Sequence, residues 1–297
     1  MSRQKIAVVT GASSGFGKLT VEALAADGWR VFGTLRNATT VNAAASNALR
    51  AAGAEVVELD VLSDTSVAAA AATILAAGTP DVLINNAGYA SYGLVEAFTP
   101  AAVEHQFATN VFGSLRVNRA FLPAMRARKS GLVVYVSSVV GRVALPLYGI
   151  YAASKWALEA LAETSSYELA PSGIDVVIVE PGDYPTEAFA KMSTADDDSC
   201  AASYGDLGER FSAALNTGRA DIESRDSSEV ARAIVHLANA PAGTRPLRTT
   251  VPANPAADAI NGVSASIQSS VLTALSLSDL VSVPSASANA SEERISP

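Results

Sequence analysis

The sequence has one cysteine and two histidines in 297 residues. Cys200 cannot close an internal disulfide, which fits a reducing compartment. It sits in the polar run Asp196-Asp-Asp-Ser-Cys200 with no histidine beside it, so it reads as an incidental thiol. His105 and His236 are far apart and lack ligand spacing, so no metal site is expected. Positive charge is also short. The 21 Lys and Arg against 29 Asp and Glu leave a net charge of −8, which argues against nucleic acid as a partner. No apolar run is long enough to span a bilayer. Met1-Ser-Arg-Gln-Lys-Ile enters a strand-like segment without an apolar leader, so a cytoplasmic protein with no membrane partner is expected. A 49% hydrophobic content and a mean hydropathy of +0.25 supply a sizeable folded core.

Short apolar runs alternate with helical patterns along the first half. Lys5 to Thr10 reads as a buried strand that breaks into Gly11-Ala-Ser-Ser-Gly15-Phe-Gly17 and then a helix through Leu19, Val21, Leu24 and Ala25. A glycine-rich turn between strand and helix presents backbone N–H groups and the helix dipole to a phosphate. The spacing is Gly-x-x-x-Gly-x-Gly, not the commoner Gly-x-Gly-x-x-Gly. Arg30 to Leu35 is a second strand. Gly33 to Thr40 contains no acid to hold a ribose 2′-hydroxyl, and Arg36 follows the strand, which favours a 2′-phosphate and hence NADP over NAD. Further strands are expected at Ala54–Asp60 and Asp81–Asn85, with Ala-rich helices over Val41–Ala52 and Ser63–Ala77. Strand–helix alternation with short connections specifies a parallel sheet covered on both faces. Asp60 and Val61, at the end of the third strand, are placed either to meet an adenine amino group or simply to turn the chain.

Thr99 to Lys129 reads as one or two long helices. Asn110 inside them is a mediocre helix former, which either caps a local break or serves a buried polar network. Leu132 to Val136 is a buried strand ending at Ser137-Ser138, and the helix that follows carries Tyr151 and Lys155 four apart on one face. A neighbouring ammonium is expected to draw the Tyr151 hydroxyl down from its ordinary pKa near ~10, while Ser138 aims a hydroxyl at the same point. That is a proton-transfer device for a carbonyl or an alcohol. Ile174 to Val179 is a sixth strand, ending in Glu180-Pro-Gly-Asp-Tyr-Pro-Thr186.

Taken together, Thr10 to Gly17, Asp60-Val61, Asn85 to Gly88, Asn110, Ser138, Tyr151-x-x-x-Lys155 and Pro181-Gly182 with Thr186 closely resemble the short-chain dehydrogenase/reductase family, in its single-domain branch, over residues 5 to 186. The resemblance implies an α/β fold, a Rossmann-like doubly wound parallel sheet with helices on both faces. It also implies an oxidoreductase that interconverts a carbonyl and an alcohol with NADP(H). Tyr151 would be the general acid/base and Lys155 would lower its pKa and hold the nicotinamide ribose. Ser138, not Ser137, would orient the carbonyl, and Asn110 would hold a relay water. The cofactor would meet Gly11, Ser13, Ser14, Gly15, Phe16, Gly17, Arg36, Asp60, Val61, Asn86, Ala87, Gly88, Tyr151, Lys155, Pro181, Gly182 and Thr186, with Ser13 as a second contact to the 2′-phosphate. A homodimer or homotetramer is implied through the helices that hold Asn110 and Tyr151. Two other readings of the scaffold are an epimerase or dehydratase and a cofactor-bound sensor or interaction module. The glycine spacing speaks against the first, and the retained Ser, Tyr and Lys against the second.

The catalytic domain is expected over residues 1–253, with a variable substrate lid over 187–225. Within the lid Leu207–Leu215 is helical and the acidic run 196–198 is a solvated face. Ser138, Tyr148 and Tyr184 are expected to touch substrate, and Tyr89, Tyr92, Leu94, Leu145 and Phe189 to line an apolar or aromatic pocket. A capped helix from Ser227 or Ser228 to Ala240 and a last strand at Thr249–Val251 close the body. The extension, 254–297, carries Ile260, Val263, Ile267, Val271 and Leu275 on one helix face, a pattern that packs on the body or on a second subunit. Its end, from 283, is expected to be disordered.

Overall fold

Strands buried on both faces need unbroken apolar runs, and Ile6–Thr10, Val82–Asn85, Leu132–Val136 and Ile174–Val179 supply them. The computed structural model describes residues 3–186, 192–197, 199–217 and 219–283. The first half runs β1 (Ile6–Thr10), α1 (Gly15–Ala26), β2 (Arg30–Leu35), α2 (Ala43–Ala51), β3 (Glu55–Glu58), α3 (Asp64–Ala77) and β4 (Val82–Asn85). The short β5 (Ser91–Tyr92), α4 (Pro100–Phe107), α5 (Gly113–Arg128), β6 (Gly131–Val136), α6 (Gly149–Leu169) and β7 (Ile174–Pro181) follow. The chain then forms the short β8 (Ser193–Thr194), α7 (Leu207–Thr217), α8 (Arg219–Glu223), α9 (Ser228–Asn239), β9 (Arg248–Val251) and α10 (Pro255–Ala274).

The main sheet has seven parallel strands in the order β3-β2-β1-β4-β6-β7-β9. The chain builds outward from β1 to β3, then reverses and builds from β4 the other way. That reversal opens a crevice beyond the carboxyl ends of β1 and β4, where such sheets bind ligands. Alternate residues of each strand feed two cores. Ala7 and Val9 face Val21, Leu24, Val230 and Ile234 of α1 and α9. Ile6 and Val8 face Val67, Ile74, Val117, Phe121 and Leu158 of α3, α5 and α6. Ser63 caps α3 by accepting from Ser66 N, a contact worth about 1 kcal/mol.

Several expectations needed correction. The stretch from Thr99 to Lys129 is α4 and α5 joined by a π-helical turn, Ala108–Phe112, with Asn110 buried inside it. Asp196 is more than a solvated acid: its Oδ2 accepts from Thr99 N and Thr99 Oγ1, which ties the segment beyond β8 to the start of α4. Those bonds pull its carboxyl below the usual range. Ser227 holds the N-cap position of α9 as expected, but its side chain makes no capping bond. Asp226 bonds there instead, accepting from Ser228 N at 2.9 Å and Ser228 Oγ at 2.6 Å. The apolar stripe of α10 does not turn inward. Val263, Ile267 and Leu275 are 62%, 58% and 62% exposed. Ala257 and Leu272 are buried instead, and Asn261 and Ser264 bond to the body. Phe189, the start of the lid at 187–191, and the chain end from 284 lie outside the described residues.

Candidate active site

The glycine turn is built for close approach. Gly11 has φ +67°, and a Cβ there would lie 2.7 Å from Ala87 Cα. A Cβ on Gly17 would strike Asn86 Nδ2 and Gly11 O, because the Asn86 amide donates to Thr10 O and Gly11 O at 2.8 and 3.1 Å. Thr10 Oγ1 accepts from Asn86 N and Ala87 N and donates to Ile84 O, so the ends of β1 and β4 are fastened across the switch point. The turn cannot close up, and the start of α1 stays open to an anion.

A cavity of about 780 Å³ runs over these strand ends. Gly11, Ser13, Ser14, Gly15, Phe16 and Gly17 line one end with Arg36, Asp60 and Val61. Asn86, Ala87 and Gly88 follow, and Ser138, Tyr148, Tyr151, Lys155, Pro181, Gly182 and Thr186 line the other end. The structure thus brings together along one wall every expected site residue except Asn110, which stands just behind it. Arg36 is exposed, and no ion pair engages its guanidinium among the described residues. The Asp60 carboxylate accepts from Leu62 N at 3.0 Å, so it also fixes its own turn.

At the chemical end β6 delivers Ser138 and the first turn of α6 delivers Tyr151. The two hydroxyls face each other closely enough for Ser138 to favour the ionised form of Tyr151, and Ser138 Oγ donates to Pro181 O and accepts from Val140 N. The Ser137 hydroxyl points away and donates to Glu159 Oε1 at 2.8 Å. Lys155 Nζ donates to Val136 O at 2.8 Å and lies 5.8 Å from the Tyr151 ring centroid. Asn110 answers both of its sequence readings. It sits in the break between two helices, its amide donates to Tyr89 O and Ser154 Oγ, and its Oδ1 accepts from Tyr89 N. Gly88 separates Asn110 Oδ1 from Lys155 Nζ, since a Cβ there would lie 3.0 and 3.7 Å from them.

The electrostatics differ from expectation. Burial pushes the Tyr151 hydroxyl up to about 12, with Ser138 opposing and Asp183 and Tyr148 adding to the rise. Burial pushes Lys155 down to about 8, with Glu159 opposing. Desolvation outweighs any attraction between the pair. Tyr151 therefore stays protonated at neutral pH, as a proton donor must.

Of the expected pocket residues, Tyr89, Leu145, Tyr148 and Tyr184 border the cavity. Tyr148 packs 6.5 Å from Tyr151, 5.5 Å from Tyr92 and 6.2 Å from Phe211 of α7. Sequence reasoning did not single out Phe211, since its place depends on how α7 folds back. Leu94 does not line the cavity. Tyr184 is only 1% exposed; its ring lies edge-on to Phe16 and its hydroxyl donates to Glu229. It is a packing residue with no hydroxyl to spare for substrate.

With this geometry in place, comparison with known proteins gives the class. The family model for short chain dehydrogenase matches residues 5–197, and the chain belongs to that family and has its single-domain fold. It is 37% identical over 183 residues to 3-ketodihydrosphingosine reductase of Bacteroides thetaiotaomicron, covering 61% of this chain and 65% of that one. It is 35% identical to the uncharacterized oxidoreductase YusZ of Bacillus subtilis, covering 79% and 85%. It is 39% identical to human retinol dehydrogenase 8, covering 62% and 60%. The chain thus spans slightly less than two thirds of the first and third of these relatives. Among solved structures it is similar to a short-chain dehydrogenase from Streptomyces avermitilis, with TM-score 0.73 and 34% identity over 93% of this chain and 98% of that one. It is also similar to an actinorhodin polyketide ketoreductase crystallised with NADPH, with TM-score 0.68 and 29% identity over 80% and 92%. Other solved structures similar to the chain were also determined with a bound NADP-type nucleotide.

Proposed function

We propose that the protein interconverts a bulky apolar ketone or aldehyde and its alcohol, using NADP(H). The observation that carries this reading is that Tyr151, Ser138 and Lys155 line one end of a cavity whose other end is the glycine turn. The open turn at Gly11 and Gly17 fits a pyrophosphate, and the exposed Arg36, with no acid between Gly33 and Thr40, fits a 2′-phosphate. Lys155 would hold the nicotinamide ribose, and Pro181, Gly182 and Thr186 would meet the carboxamide side. When bound, the cofactor supplies the hydride in reduction and takes it in oxidation.

The chain's own residues handle the proton. Ser138 Oγ hydrogen-bonds the substrate oxygen and holds it against Tyr151. In reduction the Tyr151 O–H donates to that oxygen as negative charge develops on it. The Lys155 ammonium then stabilises the phenolate. Lys155 and Asn110, either side of Gly88, mark the path along which water returns the proton. Oxidation reverses each transfer.

Tyr148, Tyr89 and Leu145 on the wall support an apolar substrate. So do relatives named for 3-ketodihydrosphingosine and retinol. The same reading includes self-association, supported by the exposed Phe112 and Leu115 beside α5 and Trp156 on α6; light scattering would show it as a mass above 30.4 kDa. The test of function is NADPH consumption across a panel of hydrophobic ketones and aldehydes. Turnover of bulky members that falls about 10²–10⁴-fold in Tyr151→Phe is expected. Absence of both NADPH binding and turnover across the panel would overturn the reading.

A further inference from the structure

Behind the catalytic residues lies a buried cluster of charge that the proposed chemistry does not use. Glu159 follows Lys155 by one turn of α6 and is 1% exposed. Its Oε1 accepts from Ser137, and its Oε2 lies 3.0 Å from Arg248 Nε and 3.8 Å from Arg142 Nε. Arg248, on β9, also bonds Glu163 at 2.8 Å and lies 3.4 Å from Glu180 Oε1 at the end of β7. Glu180 is fully buried, and its Oε1 has no hydrogen-bond partner. Gly141 leaves room for this approach, since a Cβ there would lie 2.7 Å from both Glu159 Oε1 and Ser137 Oγ.

Two residues of α10 close the cluster at opposite ends. Asn261 Nδ2 donates to Glu180 Oε2 at 2.7 Å, and Ser264 Oγ accepts from Arg142 at 2.7 Å. The helix lies outside the stretch that matches the family model. Three carboxyls face two guanidiniums. The next buried cation is the Lys155 ammonium. Two of the carboxyls sit behind a working part: Glu159 behind Ser137-Ser138, and Glu180 immediately before Pro181, whose carbonyl touches Ser138.

We propose that Glu159 is a positioning residue for Ser138 and the counter-charge of Lys155, and that α10, through Asn261 and Ser264, clamps it in place. The inference rests on the oxidoreductase reading for its kinetic consequence but not for its physical one. The groups that face Lys155 and Glu159 are Tyr151 and Glu163 on α6, Asn110 in the π-helical turn, Arg142 after β6, Glu180 on β7 and Arg248 on β9. Among them Glu159 is the anion that opposes desolvation of Lys155. Glu159→Gln keeps an acceptor for Ser137 and removes the charge. The ammonium should then lose its proton at lower pH.

The direct measurement is an NMR titration of isotope-labelled lysine side chains in the full apo chain, for the parent and for Glu159→Gln. The expected result is a Lys155 midpoint at least about one unit lower in the variant. The alkaline limb of kcat/KM should move the same way, with kcat reduced more than KM is raised. Should Glu159→Gln fail to fold, Asn261→Ala serves. It strips a donor from Glu180, keeps that carboxyl protonated to higher pH and shifts Lys155 in the same direction by less. A folded variant with an unmoved Lys155 midpoint overturns the proposal. Parent protein inactive on every ketone, yet with the midpoint shift present, would instead sink the oxidoreductase reading and leave the electrostatic one standing.

Discussion

At the residue scale, neighbours give chemically similar groups opposite roles. Ser137 and Ser138 are adjacent, yet Glu159 takes the first hydroxyl and Tyr151 meets the second. Arg36 and Arg248 are both guanidiniums. The first is exposed and has no ion-pair partner among the described residues, the second is locked among Glu159, Glu163 and Glu180. Arg36→Ala should therefore weaken NADPH binding about ten-fold or more and leave NADH binding nearly unchanged, as read by fluorescence titration. Equal weakening for both nucleotides would remove the 2′-phosphate contact. Glu180 supplies a prediction of sign. Burial, with Glu159 adding, holds its carboxyl protonated up to about 8, against 4.5 when unfolded. The folded state thus binds the extra proton between those values, and stability falls as pH rises through that window. Glu180→Gln should lose this slope, so its denaturant midpoint relative to the parent should climb from pH 5 to pH 8. A parallel pair of curves would show that Glu180 is ionised throughout.

At the scale of elements, the turn between β1 and α1 and the π-helical turn at Ala108–Phe112 do most to shape the site. Gly17→Ala puts a methyl into Asn86 and Gly11 O. It should abolish tight nucleotide binding and destabilise the fold by about 1–3 kcal/mol, measured by chemical denaturation. Unchanged binding would mean that the turn relaxes at little cost. Most elements were legible in the sequence, because apolar runs and turn residues are local signals. Arg30–Leu35 matches its expected strand in full, and Gly149–Leu169 ends where the helical pattern ends. The site residues carried by motifs were legible too. The residues missed are those whose partners lie far along the chain. Glu159, Glu180, Arg142 and Arg248 read as ordinary charges until the sheet brings β7, β9 and α6 together. A faint signal was present: Glu180 directly follows the six-residue apolar run Ile174-Asp-Val-Val-Ile-Val179 broken only by Asp175, where a buried acid needs a partner. The α10 stripe does not pack on the body, the first of its two expected covers, because periodicity shows that a helix has an apolar face, not what covers it. The downward shift expected for Tyr151 failed because burial of both groups outweighed their proximity.

At the scale of the whole molecule, the sheet divides the labour. Strands β1 to β3 carry the glycine turn, Arg36 and Asp60, while β4 to β9 carry Asn86, Ser138, the support for Tyr151 and the clamp on Glu159. A dinucleotide lying across the switch point touches both halves and should couple them. NADPH at about 100 times its Kd should stabilise the protein by about 2.7 kcal/mol. For a chain of this size that is a rise in Tm of about 4 °C, checked by differential scanning calorimetry. A smaller rise with NADH at equal concentration is expected, and no shift with either would mean that the crevice binds neither.

The clamp also sets an order of events during synthesis. A nascent chain that has passed Leu169 already owns Ser138, Tyr151 and Lys155, and it can build β1 to β6. Until Arg248, Asn261 and Ser264 leave the ribosome, however, Glu159 and Glu163 have no Arg248 to neutralise them, and the wall behind Ser138 has no fixed charge balance. The residues of the proposed chemistry are therefore made before the charges that fix the wall behind them.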